Sequence, residues 1–595
     1  MSTREVVSIA VKGQAYHASV IANPTQAELQ ALALKHTPAT TRATYGSVNK
    51  ISRNKDRKAQ WTYIIATEAE QAQYSGNTIL PEKAQPLIEA QCRYIEQVGA
   101  MIQVDGYLGV GPRATAVRWL YTPEAANIAG MQQVLAFPRS AVETGEPLAR
   151  EFQPKFHIIY TPGLPAEGMP GNQAIIADLK NYVTYIIGPD YFGESKKSAL
   201  RMLNDHLYQQ GGLLLHAGAK VVQSRGRRIT MTIKGLSGTG KTTTTFSKQG
   251  ERTQPVQDDM VGLWPGGECS VTENGCFAKT YGLTAETEPA IYEGTLAPSA
   301  WIENAYSNPE GTLDFSKGRL TPAEVAFHKD TLIKTGAPAE NVAAYIEGRV
   351  RYEDVVDAND IAKDGWDFVI WTQNGRSVFP LSVIPDAADF SKLPPVGSMG
   401  ILNRDEGQDA AMPGILRFAS PEQAAGYFML GETSKTSAAG KERGKTRSPF
   451  TQPFFPRPHG LQARRFSEIA ATLQADMWLM NTGYVGGDPR DVNAGRALKV
   501  KIRHSSAMLE AMLSGAVKWT GDPDFGYEVV DVRAPENAGL LEKVPDEILN
   551  PRLFFERRGR TDEYKAWVEK MKQEREAFLR KYNVDETIIR AVVNR

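Results

Sequence analysis

Arg227–Phe246, RRITMTIKGLSGTGKTTTTF, decides how the rest of the chain is read. Ile229, Met231 and Ile233 alternate with threonines, which predicts a strand. That strand feeds Gly235, Leu236, Ser237, Gly238, Thr239, Gly240, Lys241 and Thr242, and the threonine-rich run beyond can start a helix. The pattern is a G-x-x-x-x-G-K-[ST] phosphate loop in the strand–loop–helix setting it requires. Gly238 and Gly240 allow backbone angles that other residues resist, so the loop N–H groups and the helix N-terminus can wrap a polyphosphate. Lys241 is expected to reach the β- and γ-phosphates, and the Thr242 hydroxyl to hold Mg²⁺. A fortuitous Gly-rich turn is the bland alternative, and the flanks argue against it. The loop predicts a nucleotide site but leaves the use of the phosphate open.

Composition narrows the field. The 595 residues suffice for two large domains, and 42% hydrophobic with 23% charged residues is ordinary for a globular protein. Sixty-eight basic residues balance 68 acidic ones, so no global field favours nucleic acid or an anionic membrane. Cys92, Cys269 and Cys276 lack metal-type spacing and leave one unpaired, which suits a reducing cytoplasm. No run approaches the roughly 18 apolar residues of a membrane span, and MSTREVVSIA lacks a signal-peptide core. The expectation is a cytoplasmic enzyme with no nucleic-acid or membrane partner. Oligomeric state is not legible.

Ahead of the loop, the patterns predict helices at Ala27–Lys35 and Pro81–Val98 and strands at Trp61–Ala66, Phe156–Tyr160 and Tyr182–Ile187. Tyr45–Ala59, YGSVNKISRNKDRKA, reads as a solvated basic loop, although in a cleft Arg53 could clamp a carboxylate. Tyr191-Phe-Gly-Glu-Ser-Lys196-Lys197 opens a helix running through Asn204. Leu213–Leu215 predicts a strand that ends at His216. Taken singly, such a histidine and such a lysine pair are more often packing or surface residues than ligands.

Beyond the loop, Asp258 and Asp259 follow Arg252–Val256, a poor pattern for a buried strand. Residues 317–365 are polar and partly helical, like an insertion, and Asp367–Trp371 (DFVIW) predicts a strand before Asn374-Gly-Arg376. Gly431–Pro453 has the composition of a mobile loop. Phe466–Asn481 predicts a helix leading into a strand. Tyr564, Trp567, Met571, Phe578 and Tyr582 recur with helical period, giving an amphipathic C-terminal helix.

In this order the pieces resemble the ATP-dependent phosphoenolpyruvate carboxykinase family. YFGESKK (191–197) resembles its Y-x-G-E-x-K-K segment, and LLLHAGAKV around His216 its M-H-C-S-A-N-V segment. GLSGTGKTT is close to its phosphate loop, and QDD followed by ENGCFAKT is similar to its G-D-D and E-G-G-C-Y-A-K-T segments. EPAIY, NGRSVFPLSVIPD, AGKERGKT and LMNTGYVGG also have counterparts. The likeness covers about residue 45 to the C-terminal helix, apart from the insertion.

The resemblance implies an α/β fold: an N-terminal α/β domain (1–225) and a mixed-sheet, P-loop nucleotide- and metal-binding domain (226–595), closing around a cleft. It implies that Lys197 as a neutral amine, His216 and Asp259 hold Mn²⁺, with Lys196 helping to depress the Lys197 pKa. Asp258 and Thr242 would serve the nucleotide metal. Arg53 and Tyr191 would orient the substrate carboxylates, and Arg376, Lys241 and Lys279 would neutralise the transferring γ-phosphate. Arg443 and Thr446 fall near the family's adenine contacts. The GTP-using relatives carry a cysteine in the loop, whereas this loop has none and resembles the ATP group. The implied reaction is oxaloacetate plus ATP to phosphoenolpyruvate, CO₂ and ADP.

Two departures stand out. Met260-Val-Gly-Leu263 replaces the family's Glu-His-Gly-Trp after the acidic pair, and ISRNKDRK matches its substrate-arginine segment only loosely. The alternatives are a divergent P-loop kinase acting on another small molecule or a protein hydroxyl, and an ATP-binding regulatory protein without turnover. Retention of Lys197, His216, Asp259 and Arg376 together argues against the last.

Overall fold

The computed structural model describes residues 6–11, 13–57, 59–143, 151–235, 239, 241–246, 253–358, 360–435 and 444–595. The chain divides into two compact units that interleave in sequence: Met1–Leu203 with Glu273–Pro385, and Asn204–Thr272 with Asp386–Arg595. This differs from a single break near residue 225, and strand pairing gives the reason. Leu213–Ser224 is the antiparallel partner of the phosphate-loop strand Arg227–Gly235, so the residues before 225 belong with the loop. Gly275–Lys279 and Arg376–Pro380 join a sheet with residues 40–50, which returns 273–385 to the first unit.

In the first unit, nine strands among the described residues form one mixed sheet, with Thr115–Tyr121, Phe156–Thr161 and Val183–Ile187 at its centre. Ile88 and Ile95 of the helix Pro81–Val98 are buried against Ile159, Ile176 and Ile187 of this sheet. A second, smaller sheet has the order Gly275–Lys279, Arg376–Pro380, Trp301–Glu303, Val48–Lys50, Thr40–Arg42.

The insertion enters between two hydrogen-bonded neighbours of that smaller sheet. It folds into the short helices Pro322–Phe327, Lys329–Lys334, Ala339–Ile346 and Tyr352–Val355 around a core of its own, with Leu320, Val342, Tyr345, Phe368 and Val369 packed near Ile51 and Tyr306. Thr321 and Glu324 form a reciprocal capping box that starts the first helix. DFVIW is not a strand. It is a single 3-10 turn, Asp367–Val369, because its apolar side chains enter the insertion core and the Trp371 indole donates to the Asn304 carbonyl (3.0 Å).

The second unit carries a mixed sheet with the central order Met260–Leu263, Leu213–Ser224, Arg227–Gly235, Val396–Asn403, Asp476–Asn481. Arg227–Gly235 runs parallel to Val396–Asn403, which runs parallel to Asp476–Asn481. The strand at Leu213 does not stop at His216. It continues to Ser224, because its first half pairs with Met260–Leu263 and its second with the phosphate-loop strand. Arg252–Val256 also hid a strand, Gln254–Gln257, whose buried Gln257 is satisfied by Thr272 and Met260. The helices at Gln26–His36, Pro81–Val98 and Thr561–Lys581 lie where the sequence patterns predict them, whereas the helix expected from Phe466 starts earlier, at Gly460, and ends at Ala470.

Candidate active site

In the second unit, strand ends and one tight turn assemble the phosphate side. His216 faces Asp259 because Leu213–Ser224 pairs in register with the strand after the acidic pair, His216 opposite Met260. His216 Nε2 is 3.1 Å from Asp259 Oδ1, and its Nδ1 is 3.0 Å from the Phe450 carbonyl. A carbonyl can only accept, so Nδ1 carries a proton, and Nε2, which faces Asp259, is the nitrogen that could take a metal in its neutral form. A neutral Nε2 and a carboxylate oxygen both present lone pairs, and two ligands about 2.1 Å from one octahedral ion stand about 3 Å apart. The pair therefore fits a shared divalent cation. Among the described residues no group of three His, Cys, Asp or Glu side chains could hold a metal. Lys241 Nζ lies 3.8 Å from the same Asp259 oxygen, and Asp258 is buried beside it.

The loop is pinned from both sides. The Thr482 hydroxyl donates to the Thr239 carbonyl (3.1 Å), and Lys220 Nζ donates to the Thr244 carbonyl (2.5 Å) at the end of the helix Lys241–Phe246. A Cβ on Gly218 would stand 2.1 Å from the Thr245 hydroxyl oxygen, so the strand can pass this helix only as glycine. Gly235 closes the preceding strand, and Thr242 is placed by its backbone in the helix. Leu236, Ser237, Gly238, Gly240 and Arg443 lie outside the described residues. Thr446 sits in a short hairpin, Thr433–Lys435 with Gly444–Thr446, and its hydroxyl donates to the Thr433 carbonyl. Buried Glu432 next to this hairpin accepts from Arg447 and Arg575. Burial opposes charge there, but the two guanidiniums outweigh it and hold the carboxylate far below its usual range.

In the first unit, one rung of the smaller sheet lines up the charges. Lys279 pairs with Arg376, Arg376 with Glu303, and Glu303 with Lys50. Directly paired residues share a face, so three cations and one acid stand in a row at strand ends. Arg376 Nε donates to the Tyr191 hydroxyl (3.2 Å), and the Phe192 N–H donates to Glu303 (3.1 Å), which docks the start of the helix Phe192–Gln209 on the rung. A Cβ on Gly193 would fall 2.5 Å from the Tyr191 ring, so this docking requires glycine. Lys196 is buried, ion-paired with Glu273 (2.8 Å) and 4.7 Å above the Phe277 ring; Lys197 is buried beside it. Partial burial and the nearby Arg376 hold the Lys279 amine below its ordinary value.

Arg53 reaches this cluster through Asp190. Its backbone N–H donates to Asp190 (2.9 Å), while its guanidinium donates to the carbonyls of Pro162 (2.7 Å) and Gly188 (2.9 Å). Lys50 forms a buried 2.8 Å ion pair with the same carboxylate. Burial pushes Asp190 up, but Lys50, Arg53 and the Asn54 N–H together hold it below the usual carboxylate range. Burial pushes the Glu303 carboxyl up to about 8, and burial together with Lys50 pulls the Lys55 amine down to about 8. Lys50, Asp190, Glu303 and Glu273 are the residues sequence reading missed. Strand-end position was the one available signal, and it has no meaning until the strands are paired.

Comparison with known proteins gives the family. The family model described as phosphoenolpyruvate carboxykinase, of the ATP-dependent group, matches residues 18–344 and 332–536, two stretches that meet inside the insertion. A phosphoenolpyruvate carboxykinase (ATP) of Mesorhizobium japonicum is 31% identical over 393 residues, 64% of this chain and 60% of that protein, so this match spans less than two thirds of the relative. The Afipia carboxidovorans enzyme of the same name is 29% identical over 74% of this chain and 70% of its own length. That of Bradyrhizobium diazoefficiens is 29% identical over 83% of this chain and 79% of its own. The fold, with its glycine-rich loop motif between the strand Arg227–Gly235 and the helix Lys241–Phe246, defines the class as a P-loop α/β protein. The chain belongs to the ATP-dependent phosphoenolpyruvate carboxykinase family.

Among the described residues no helix is long and apolar enough to cross a membrane.

Proposed function

We propose that this chain converts oxaloacetate and ATP to phosphoenolpyruvate, CO₂ and ADP, as a cytoplasmic enzyme using Mg²⁺ with the nucleotide and Mn²⁺ at His216 and Asp259. The observation that carries the reading is Asp259, whose one carboxylate oxygen lies beside both His216 Nε2 and the phosphate-loop Lys241. A metal ligand and a phosphate-binding cation on one acid suit a reaction that gathers negative charge at a single oxygen. Lys197, as a neutral amine, is the third ligand implied by kinship. A divalent cation held there supplies Lewis acidity to the oxygen that becomes the enolate.

The chain's own residues do the rest. Lys241 neutralises the γ-phosphate, with Arg376 and Lys279 as further cations. Tyr191, oriented by Arg376, and Arg53 position the acid so that its enolate oxygen meets the phosphorus in line. Asp258 and Thr242 serve the nucleotide metal, and Gly235 through Gly240 the phosphates. Thr446 and Arg443 lie toward the base. Cys92, Cys269 and Cys276 form no disulfide with one another, which suits the cytoplasmic assignment.

The test is purified protein with oxaloacetate, ATP, Mg²⁺ and Mn²⁺, following phosphoenolpyruvate, with GTP and pyrophosphate in parallel. Product that requires ATP and disappears in His216→Ala supports the reading. ATP binding without phosphoenolpyruvate under every metal condition sinks it and leaves the kinase alternative.

A further inference from the structure

The insertion does more than lengthen a connection. Lys334, which ends its Lys329–Lys334 helix, and the following Thr335 line a cavity of about 290 Å³ together with Lys50, Arg53, Asp190 and Asn127. Neither Tyr191, Lys197 nor Arg376 lines it. We propose that this cavity binds a small organic acid carrying one carboxylate and one neutral polar group, of the 2-hydroxy acid type.

Three observations converge. Asn127 is 1% exposed, yet both its Nδ2 and Oδ1 lack a hydrogen-bond partner. A buried amide left without partners is costly, so it marks a place where a donor and an acceptor are awaited. Lys334 is exposed at the rim and takes part in no ion pair among the described residues, so its charge is available. The lining cations Lys50, Arg53 and Lys334 face the carboxylates Glu124 and Asp190, which leaves one positive charge uncompensated. Glu124 is already engaged by the Tyr94 hydroxyl (2.8 Å), and Asp190 by Lys50. A monoanion balances the cavity, whereas a dianion or a cation does not.

Size and lining narrow the class. About 290 Å³ lies at the small end of ligand pockets, room for a three- or four-carbon acid but not for a nucleotide. Ile51, Ile128 and Pro162 offer an apolar wall to the carbon chain. A hydroxyl donates to Asn127 Oδ1 and accepts from Nδ2, which a bare hydrocarbon chain cannot do. Arg53 lines the cavity and also serves the proposed substrate clamp. On the function proposed above, occupancy of this cavity and oxaloacetate affinity are reciprocally coupled through Arg53.

The experiment is calorimetry on the full chain with lactate and glycolate, with inorganic phosphate and acetamide as controls. Saturable binding of a hydroxy acid, weakened about tenfold in Lys334→Ala and in Asn127→Asp, is the expected result. Thermal melts of both variants check that they remain folded. Binding that is equal for phosphate, unchanged in a folded Lys334→Ala, or absent for both hydroxy acids overturns the proposal. Because no turnover is measured, failure here and failure to form phosphoenolpyruvate are separate outcomes.

Discussion

The phosphate side and the acid side of this molecule are built in opposite ways. His216, Lys241, Asp258 and Asp259 come from a run of fewer than 50 residues, folded as a hairpin with one further strand beside it. Lys50, Tyr191, Lys279, Glu303 and Arg376 come from five separated segments that meet only because strands pair in one register. The first is assembled by strand pairing within one short stretch of chain, the second by pairing of segments far apart in sequence. That difference explains where an insertion can be tolerated. The strands Trp301–Glu303 and Arg376–Pro380 are hydrogen-bonded neighbours, so their ends stay together whatever the connection contains. Lengthening a surface connection costs little closure entropy, and this one recovers stability from its own core. No equivalent connection exists within the phosphate hairpin, where Ser224 and Arg227 are joined by a two-residue turn.

Four substitutions break or sharpen this contrast. The largest effect is expected from Lys241→Ala, which should lower kcat about 10³-fold in the phosphoenolpyruvate assay, because it removes the cation beside Asp259 that the proposed function assigns to the γ-phosphate. Arg376→Lys should cost about 10²-fold in kcat/KM for oxaloacetate while ATP affinity, read by calorimetry, stays put. A lysine cannot keep the rung geometry and the Tyr191 contact together. A parallel loss of ATP affinity would show that the two sides are not separable.

Leu320→Ala should destabilise the insertion by about 2–5 kcal/mol, seen as increased amide exchange across 321–371, with nucleotide binding unchanged. The smallest effect is a matter of slope. Glu303 has its carboxyl pushed up to about 8 from the ordinary 4.5, so the folded chain keeps a proton that the unfolded chain releases. Its contribution is present below 4.5 and is lost as pH rises through 8. Glu303→Gln should flatten the fall in stability between pH 5 and 8, measured by urea melts; an unchanged slope would show that Glu303 ionises as an exposed acid does.

Legibility followed the same division. The helices with strong apolar period, Pro81–Val98 and Thr561–Lys581, and the strand before the phosphate loop could be read directly, because a helix face or a half-buried strand writes its period into neighbouring residues. Gln254–Gln257 could not, since a buried polar strand carries no apolar pattern and depends on Gln257 finding Thr272. DFVIW misled for the converse reason: an apolar run fits a strand or a buried turn equally, and the insertion core chose the turn.

By itself the sequence determined the phosphate loop, and motif order along the chain carried the family resemblance, because those features are local and keep their spacing. Only the tertiary structure decided that Asp259 is shared by His216 and Lys241, and that Glu303 and Lys50 join Arg376 on one rung. Those contacts are set by strand register, which a linear spacing does not encode. Around the loop that opens the reading, the motif names the phosphate, and the register places the acid that faces it.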